Sequence, residues 1–167
     1  MPTLLHAHSH FSFSSGLLSP EELVKLAQKQ GYSSVALCDT NSTSGLFLFR
    51  EACLKVGIKP ILGIELKHQH NPLDCLCIVA QNFEGYRALC QISTHYLSHC
   101  KDIHEFGLYQ LFSYEKNTSE YSNKLSNTVK FLRVTTSNPN TLQQLYQIKN
   151  NPLQGKLFAE LNVTSQE

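Results

Sequence analysis

Charge and long apolar runs are what this chain has least of. Charged residues make up 16% of the sequence and the formal net charge is +1. No field of one sign therefore draws it toward nucleic acid or a membrane surface. The lysines are scattered and form no stripe interleaved with aromatics, so no direct nucleic-acid patch is expected. No run approaches the ~18 apolar residues of a membrane span. The opening Met1-Pro2-Thr3-Leu4-Leu5-His6 lacks the charged start and apolar stretch of a secretory signal, which makes the cytoplasm the expected compartment. Among the six cysteines there is no Cys-x-x-Cys pair. Without a secretory context they read as reduced, buried, small apolar residues, not as a disulfide framework. Internal repeats and linkers are also missing. What remains, 167 residues at 41% hydrophobic content, fits one globular domain over residues 1–167 with a substantial core.

What is present starts with Leu4-Leu5-His6-Ala7-His8-Ser9-His10. If Leu4 to Ser9 is a strand, side chains alternate, and His6, His8 and His10 point to one face. Imidazoles about 6–7 Å apart on one strand face can grip a metal ion. Ser19-Pro20-Glu21-Glu22 then gives a capping box with proline at the first helical position, and Gly31 is the expected stop. Ser34 to Cys38 reads as a buried parallel strand, and Gly45 to Val56 as a helix ended by Gly57. Lys59 to Lys67 and Cys75 to Ala80 read as strands, and Asn82 caps a helix running to about Leu97. Leu108 to Phe112 predicts a short strand, and Glu115 to Asn127 a polar loop. Val129 to Thr135 reads as a strand, and Pro139 to Asn150 as a helix capped by Ser137 or Asn138. Lys156 to Val163 closes the series as a strand. Alternating strands and helices predict a parallel α/β sheet or barrel.

In such folds functional residues gather where strands end. His6, His8, Asp39 and Glu65 fall at such ends and together form a mixed nitrogen and oxygen donor set. His68, His70, His95, His99 and His104 fall in a polar turn or on a helix surface and receive no role.

Four blocks carry a family resemblance. They are His6-Ala7-His8-Ser9-His10-Phe11-Ser12 with Pro20-Glu21-Glu22-Leu23-Val24, then Ala36-Leu37-Cys38-Asp39, then Gly57-Ile58-Lys59-Pro60-Ile61-Leu62-Gly63-Ile64-Glu65, and Ala80-Gln81-Asn82-Phe83-Glu84-Gly85-Tyr86-Arg87-Ala88-Leu89. Leu157-Phe158-Ala159-Glu160-Leu161 is a fainter echo. The chain thereby resembles the PHP (polymerase and histidinol phosphatase) domain family. The nearest version is the one at the N-terminus of the bacterial DNA polymerase III alpha subunit or its error-prone relative.

The resemblance implies an incomplete, distorted (β/α)7 barrel with parallel strands, lacking its last strand, with no polymerase domain. The family's barrel mouth holds zinc, manganese or iron for phosphoester hydrolysis. By position, His6, His8 and Glu65 match family ligands, and Asp39 is a candidate outer partner. Ser15 stands where the family has a ligand aspartate, Thr40 where it has a ligand histidine, and Cys75 where a further histidine falls. Hydroxyls are weak donors to Zn²⁺ or Mn²⁺ unless ionised. The expectation is therefore no catalytic residue, and one divalent metal (zinc or manganese) held weakly or not at all. The role expected is a structural or docking module for DNA replication or repair synthesis. Its partners would be the remaining polymerase III alpha segments and a proofreading exonuclease subunit. The alternative is a metal-dependent phosphoesterase, either a proofreading nuclease or a small-molecule phosphatase. An open barrel exposes a strand edge and apolar surface, so the isolated chain is expected to aggregate or oligomerise.

Overall fold

The computed structural model describes residues 2–13, 15–67, 75–100, 129–148 and 153–159, with side chains as far as Leu97 and Ser98 in the third of these stretches. The expected strand at Leu108 to Phe112, the loop at Glu115 to Asn127, Glu160 and the end of the last expected strand lie outside them.

Among the described residues, six strands form one sheet in the order of the chain: β1 (Thr3–Ala7), β2 (Ser34–Leu37), β3 (Lys59–Lys67), β4 (Cys75–Ala80), β5 (Leu132–Thr136) and β6 (Leu157–Ala159). The fold is mixed α/β, and the curled sheet makes an incomplete barrel. Among the described residues, four α-helices back it: α1 (Pro20–Lys29), α2 (Leu46–Val56), α3 (Phe83–His95) and α4 (Pro139–Gln147). A π-helical turn, Tyr96–Cys100, extends α3.

Local signals place these elements. Ser19 accepts from the Glu22 amide while the Glu22 side chain takes the Ser19 amide, so the α1 capping box is closed at both ends. Asn82 caps α3 through the Gly85 amide, and Asn138, not Ser137, caps α4. Gly57 ends α2 in the left-handed region, at φ 77°. A 3-10 turn, Val129–Phe131, takes up the start of the segment expected to be a strand from Val129.

The expectation of parallel strands throughout is corrected. β1–β2, β2–β3 and β5–β6 are parallel, but β3–β4 and β4–β5 are antiparallel. Only residues 68–74 separate β3 from β4. That is too few for the helical crossover a parallel pair requires. β3 thus has two partners along its length: Lys59 to Leu62 pair with β2, and Gly63 to Lys67 pair with β4.

Alternation along the strands separates two faces. Val35 and Leu37 join Leu23, Val24, Leu46 and Phe49 in a core under α1 and α2. Ile64, Leu66, Leu76, Ile78, Leu132 and Val134 join Leu89, Ile92 and Tyr96 in a second core under α3. The opposite face carries a small cluster of Ala36, Cys38 and Cys77 with Ile61 and Val79 against it. A Cβ on Gly63 would lie 2.6 Å from the Cys38 sulfur, so the Cys38 thiol occupies the gap this glycine leaves. The Cys38 thiol, hydrogen-bonded to Cys77 and buried, is pushed up from its usual range. These cysteines are inert filling, as the sequence predicted. No helix among the described residues is long and apolar enough to cross a membrane.

Candidate metal centre

The parallel strands β1, β2 and β3 point their C-terminal ends the same way, and the polar residues just past those ends meet there. His6 lies near the end of β1 and His8 just beyond it. Glu65 sits in β3, beside the backbone of Asp39 and Thr40, which follow β2. One donor atom from each of His6, His8 and Glu65 lies within 4.8 Å of the others. The His6 and His8 rings have centroids 4.9 Å apart, and His6 Nε2 is 3.7 Å from Glu65 Oε1. Donors around a tetrahedral ion with bonds of about 2.1 Å stand roughly 3.4 Å apart. A small contraction of the three side chains would enclose one ion. Two imidazoles and a carboxylate are a sound set for zinc or manganese, and they leave a position for water. Burial lowers the His8 pKa from its usual range, with Glu65 and Asp39 opposing and His6 and Lys67 assisting, which favours the neutral ring whose lone pair a metal needs.

His10 is not part of this group, contrary to the one-face expectation. The strand ends at Ala7, and the chain turns through Ser12 N–H to Ser9 O at 2.9 Å and His10 N–H to Leu18 O at 2.8 Å. His10 is exposed and packs on Phe11, with ring centroids 4.6 Å apart. Among the unassigned histidines, His95 sits half-buried on α3. His68, His70, His104 and the His99 side chain lie outside what the structure describes.

The turn is held by one buried carboxylate. Asp39 accepts the Ser9 amide at 2.7 Å, the Ser9 hydroxyl at 2.7 Å and the Ser12 hydroxyl at 2.6 Å. It also lies against the start of α2, where a Cβ on Gly45 would come within 2.9 Å of its Oδ2. Both oxygens are therefore engaged by the loop, and Asp39 is outside the donor group. It acts as the anchor of that loop. Gly16 closes the same loop: a Cβ there would collide with the Ser9 carbonyl.

The three replaced positions are placed as follows. Ser15 is exposed in the turn, its amide on the Ser12 carbonyl. Thr40 donates its hydroxyl to Glu65 Oε2 at 2.8 Å. Cys75 begins β4 opposite Lys67, half-buried, outside the donor group. Ser9 and Ser12, quoted in the motif but given no role, prove to be central. So does Asn41, at φ 52°, which clasps Lys67 from both sides: it accepts the Lys67 amide at 2.9 Å and donates to the Lys67 carbonyl at 3.0 Å. Asparagine is among the few residues that enter the left-handed region readily, and that is the signal it offered. Beside the site a cavity of about 530 Å³ opens between Phe11, Phe13, Thr40, Asn41 and Ser44.

The arrangement defines a class: an α/β domain with a histidine and carboxylate cluster at the shared end of its parallel strands. The profile of the family described as PHP domain matches residues 5–147. The chain belongs to the PHP domain family. It is 36% identical over 90 residues to the error-prone DNA polymerase of Pseudomonas fluorescens, covering 54% of this chain and 9% of that protein. It is 37% identical over 89 residues to DNA polymerase III subunit alpha of Buchnera aphidicola subsp. Acyrthosiphon pisum, covering 51% of this chain and 8% of that protein. The matched region thus spans less than a tenth of these relatives. Among solved structures, an amidohydrolase from Chromobacterium violaceum superimposes with a TM-score of 0.48 at 14% identity, covering 83% of this chain and 67% of that one. A two-domain protein from Bacteroides vulgatus containing a predicted PHP-like metal-dependent phosphoesterase gives 0.48 at 15% identity, covering 88% and 38%.

Proposed function

We propose that this chain is the PHP domain, or a remnant of one, of a bacterial polymerase III alpha-type protein, and that it serves as a non-catalytic structural or docking module. Its partners on this reading are further polymerase segments and a proofreading exonuclease subunit, in the cytoplasm. The alignment with an error-prone DNA polymerase and a DNA polymerase III subunit alpha supports the lineage. The observation that supports the non-catalytic reading is Thr40 on Glu65: a hydroxyl hydrogen points at the carboxylate where the family resemblance puts a ligand histidine. With Ser15 exposed and neutral as well, His6, His8 and Glu65 are left to hold one divalent ion. A bound zinc or manganese ion would polarise a phosphate oxygen and acidify a bound water. Paired ions a few Å apart repel each other and need bridging and terminal carboxylates to offset that repulsion. Glu65 alone does not meet the need.

The second reading, a metal-dependent phosphoesterase, is favoured by one feature: two histidines and a carboxylate with an open position are also a catalytic zinc set. Protein purified without chelator, analysed for metal and assayed on a chromogenic phosphoester with added Mn²⁺, separates the two. The module reading expects one ion per chain at most and no turnover above that of His8→Ala. Stoichiometric metal pairs with turnover abolished in His8→Ala would establish the phosphoesterase instead.

A further inference from the structure

The geometry points to Ser12 as the residue that fixes which nitrogen of His8 faces a metal: we propose that it holds the ring as the Nδ1–H tautomer, leaving the lone pair on Nε2. A serine hydroxyl has one hydrogen to give and two lone pairs to accept with. Ser12 Oγ is surrounded by three groups: Asp39 Oδ1 at 2.6 Å, the Thr40 amide nitrogen at 2.9 Å and His8 Nδ1 at 3.1 Å. The Thr40 N–H can only donate, so it takes one lone pair. The Asp39 carboxylate can only accept, and at 2.6 Å it claims the single hydrogen. Nothing is left for His8 Nδ1 but to donate into the second lone pair. Were Nδ1 unprotonated, two acceptors would compete for one hydrogen, and the loser would sit lone pair against lone pair in a buried pocket.

The consequence reaches the donor group. A ligating histidine is usually oriented by a carboxylate or carbonyl that takes its other ring N–H. Here a carboxylate does this at one remove, through the serine. Asp39 also takes both Ser9 groups, so the tautomer and the loop that presents His8 depend on one anchor. Ser12 is a positioning residue: it touches His8 and Thr40, and Thr40 in turn holds Glu65.

This inference rests on the reading of His6, His8 and Glu65 as a metal remnant only for its consequence, so the test has separate arms. Metal-free protein labelled with ¹⁵N-histidine is examined by long-range proton–nitrogen correlation at about pH 8, above the imidazole range, with His8 assigned from the peaks lost in His8→Gln. The expected result is a protonated Nδ1 and a bare Nε2 in the wild type, and a shift toward the Nε2–H form in Ser12→Ala. A bare Nδ1 in the wild type overturns the proposal, and so does a Ser12→Ala spectrum unchanged at His8. The wild-type spectrum decides the point even if the variant folds poorly. Zinc titration then reads the consequence: the His8 Nε2 signal should move in the wild type, with affinity falling 10- to 100-fold in Ser12→Ala. A wild-type spectrum that shows the Nδ1–H form but no response to zinc upholds the tautomer and removes the metal reading.

Discussion

The two halves of the sheet are built from similar strands yet are held together differently. On the side of β1, β2 and β3 all pairing is parallel, and the residues past the strand ends form a web of side-chain hydrogen bonds around Asp39. On the other side β4 runs antiparallel to both of its neighbours, β3 and β5, with only β5–β6 parallel, and the strands are held by an apolar core of Ile78, Leu89, Ile92, Leu132 and Val134. Tyr96 ties that core to the other half through its hydroxyl on the Lys67 carbonyl, at 2.9 Å. Parallel strands present the same end on one rim, so residues from successive strands converge there. Antiparallel strands present alternating ends, and among the described residues no comparable convergence is seen there. The donor group lies at the rim of the parallel half for this reason.

The sharpest way to break the contrast is to remove the anchor of the polar half. Asp39→Ala orphans three buried donors, each worth about 1–3 kcal/mol, and is expected to destabilise the chain by roughly 4 kcal/mol and to abolish zinc binding. Urea unfolding and zinc titration check both effects. In the apolar half, Leu89→Ala should cost about 3 kcal/mol by cavity formation while leaving the His8 tautomer and zinc affinity unchanged. A loss of zinc affinity in that variant would mean the two halves are coupled. Thr40→Val keeps the shape and deletes the hydrogen bond to Glu65, at a cost of about 1 kcal/mol by thermal unfolding. Ser19→Ala opens the α1 cap at the edge of the polar half for about 0.5–1 kcal/mol.

The smallest effect is a pH dependence at the same cap. The Ser19 amide and hydroxyl hold the Glu22 carboxyl below its usual range. A carboxyl with a lowered folded value favours the folded state when ionised. Its contribution is present above the ordinary glutamate range and is lost as pH falls through the lowered value. Melting temperatures of wild type and Glu22→Gln should converge as the solution is acidified through that window.

Much of the fold was legible because it is locally encoded. The capping box, the Asn82 cap, the glycine stop at Gly57 and the limits Lys59 and Lys67 depend on residues within a few positions of one another. The antiparallel pairing of β3 with β4 was legible in principle, since seven residues, 68–74, are too few for a crossover helix, but the strand–helix rhythm elsewhere outweighed that count. His10 was drawn into the histidine group by extending β1 to Ser9, two residues past where its ladder stops. Ser9 and Ser12 offered no signal, because their partner lies about thirty positions away.

The chain's order of residues by itself determined most of the described strands and helices, that two histidines sit at the end of the first strand, and that Cys38, Cys53 and Cys77 fill space in the interior. Only the tertiary structure decided the direction of β4, the gathering of His6 and His8 with Glu65, and the web that joins Ser9, Ser12 and Thr40 to Asp39 and Glu65. The reason is range: caps and periodicity act within one or two turns of chain, whereas these contacts exist only after β1, β2 and β3 have been brought side by side and share a rim.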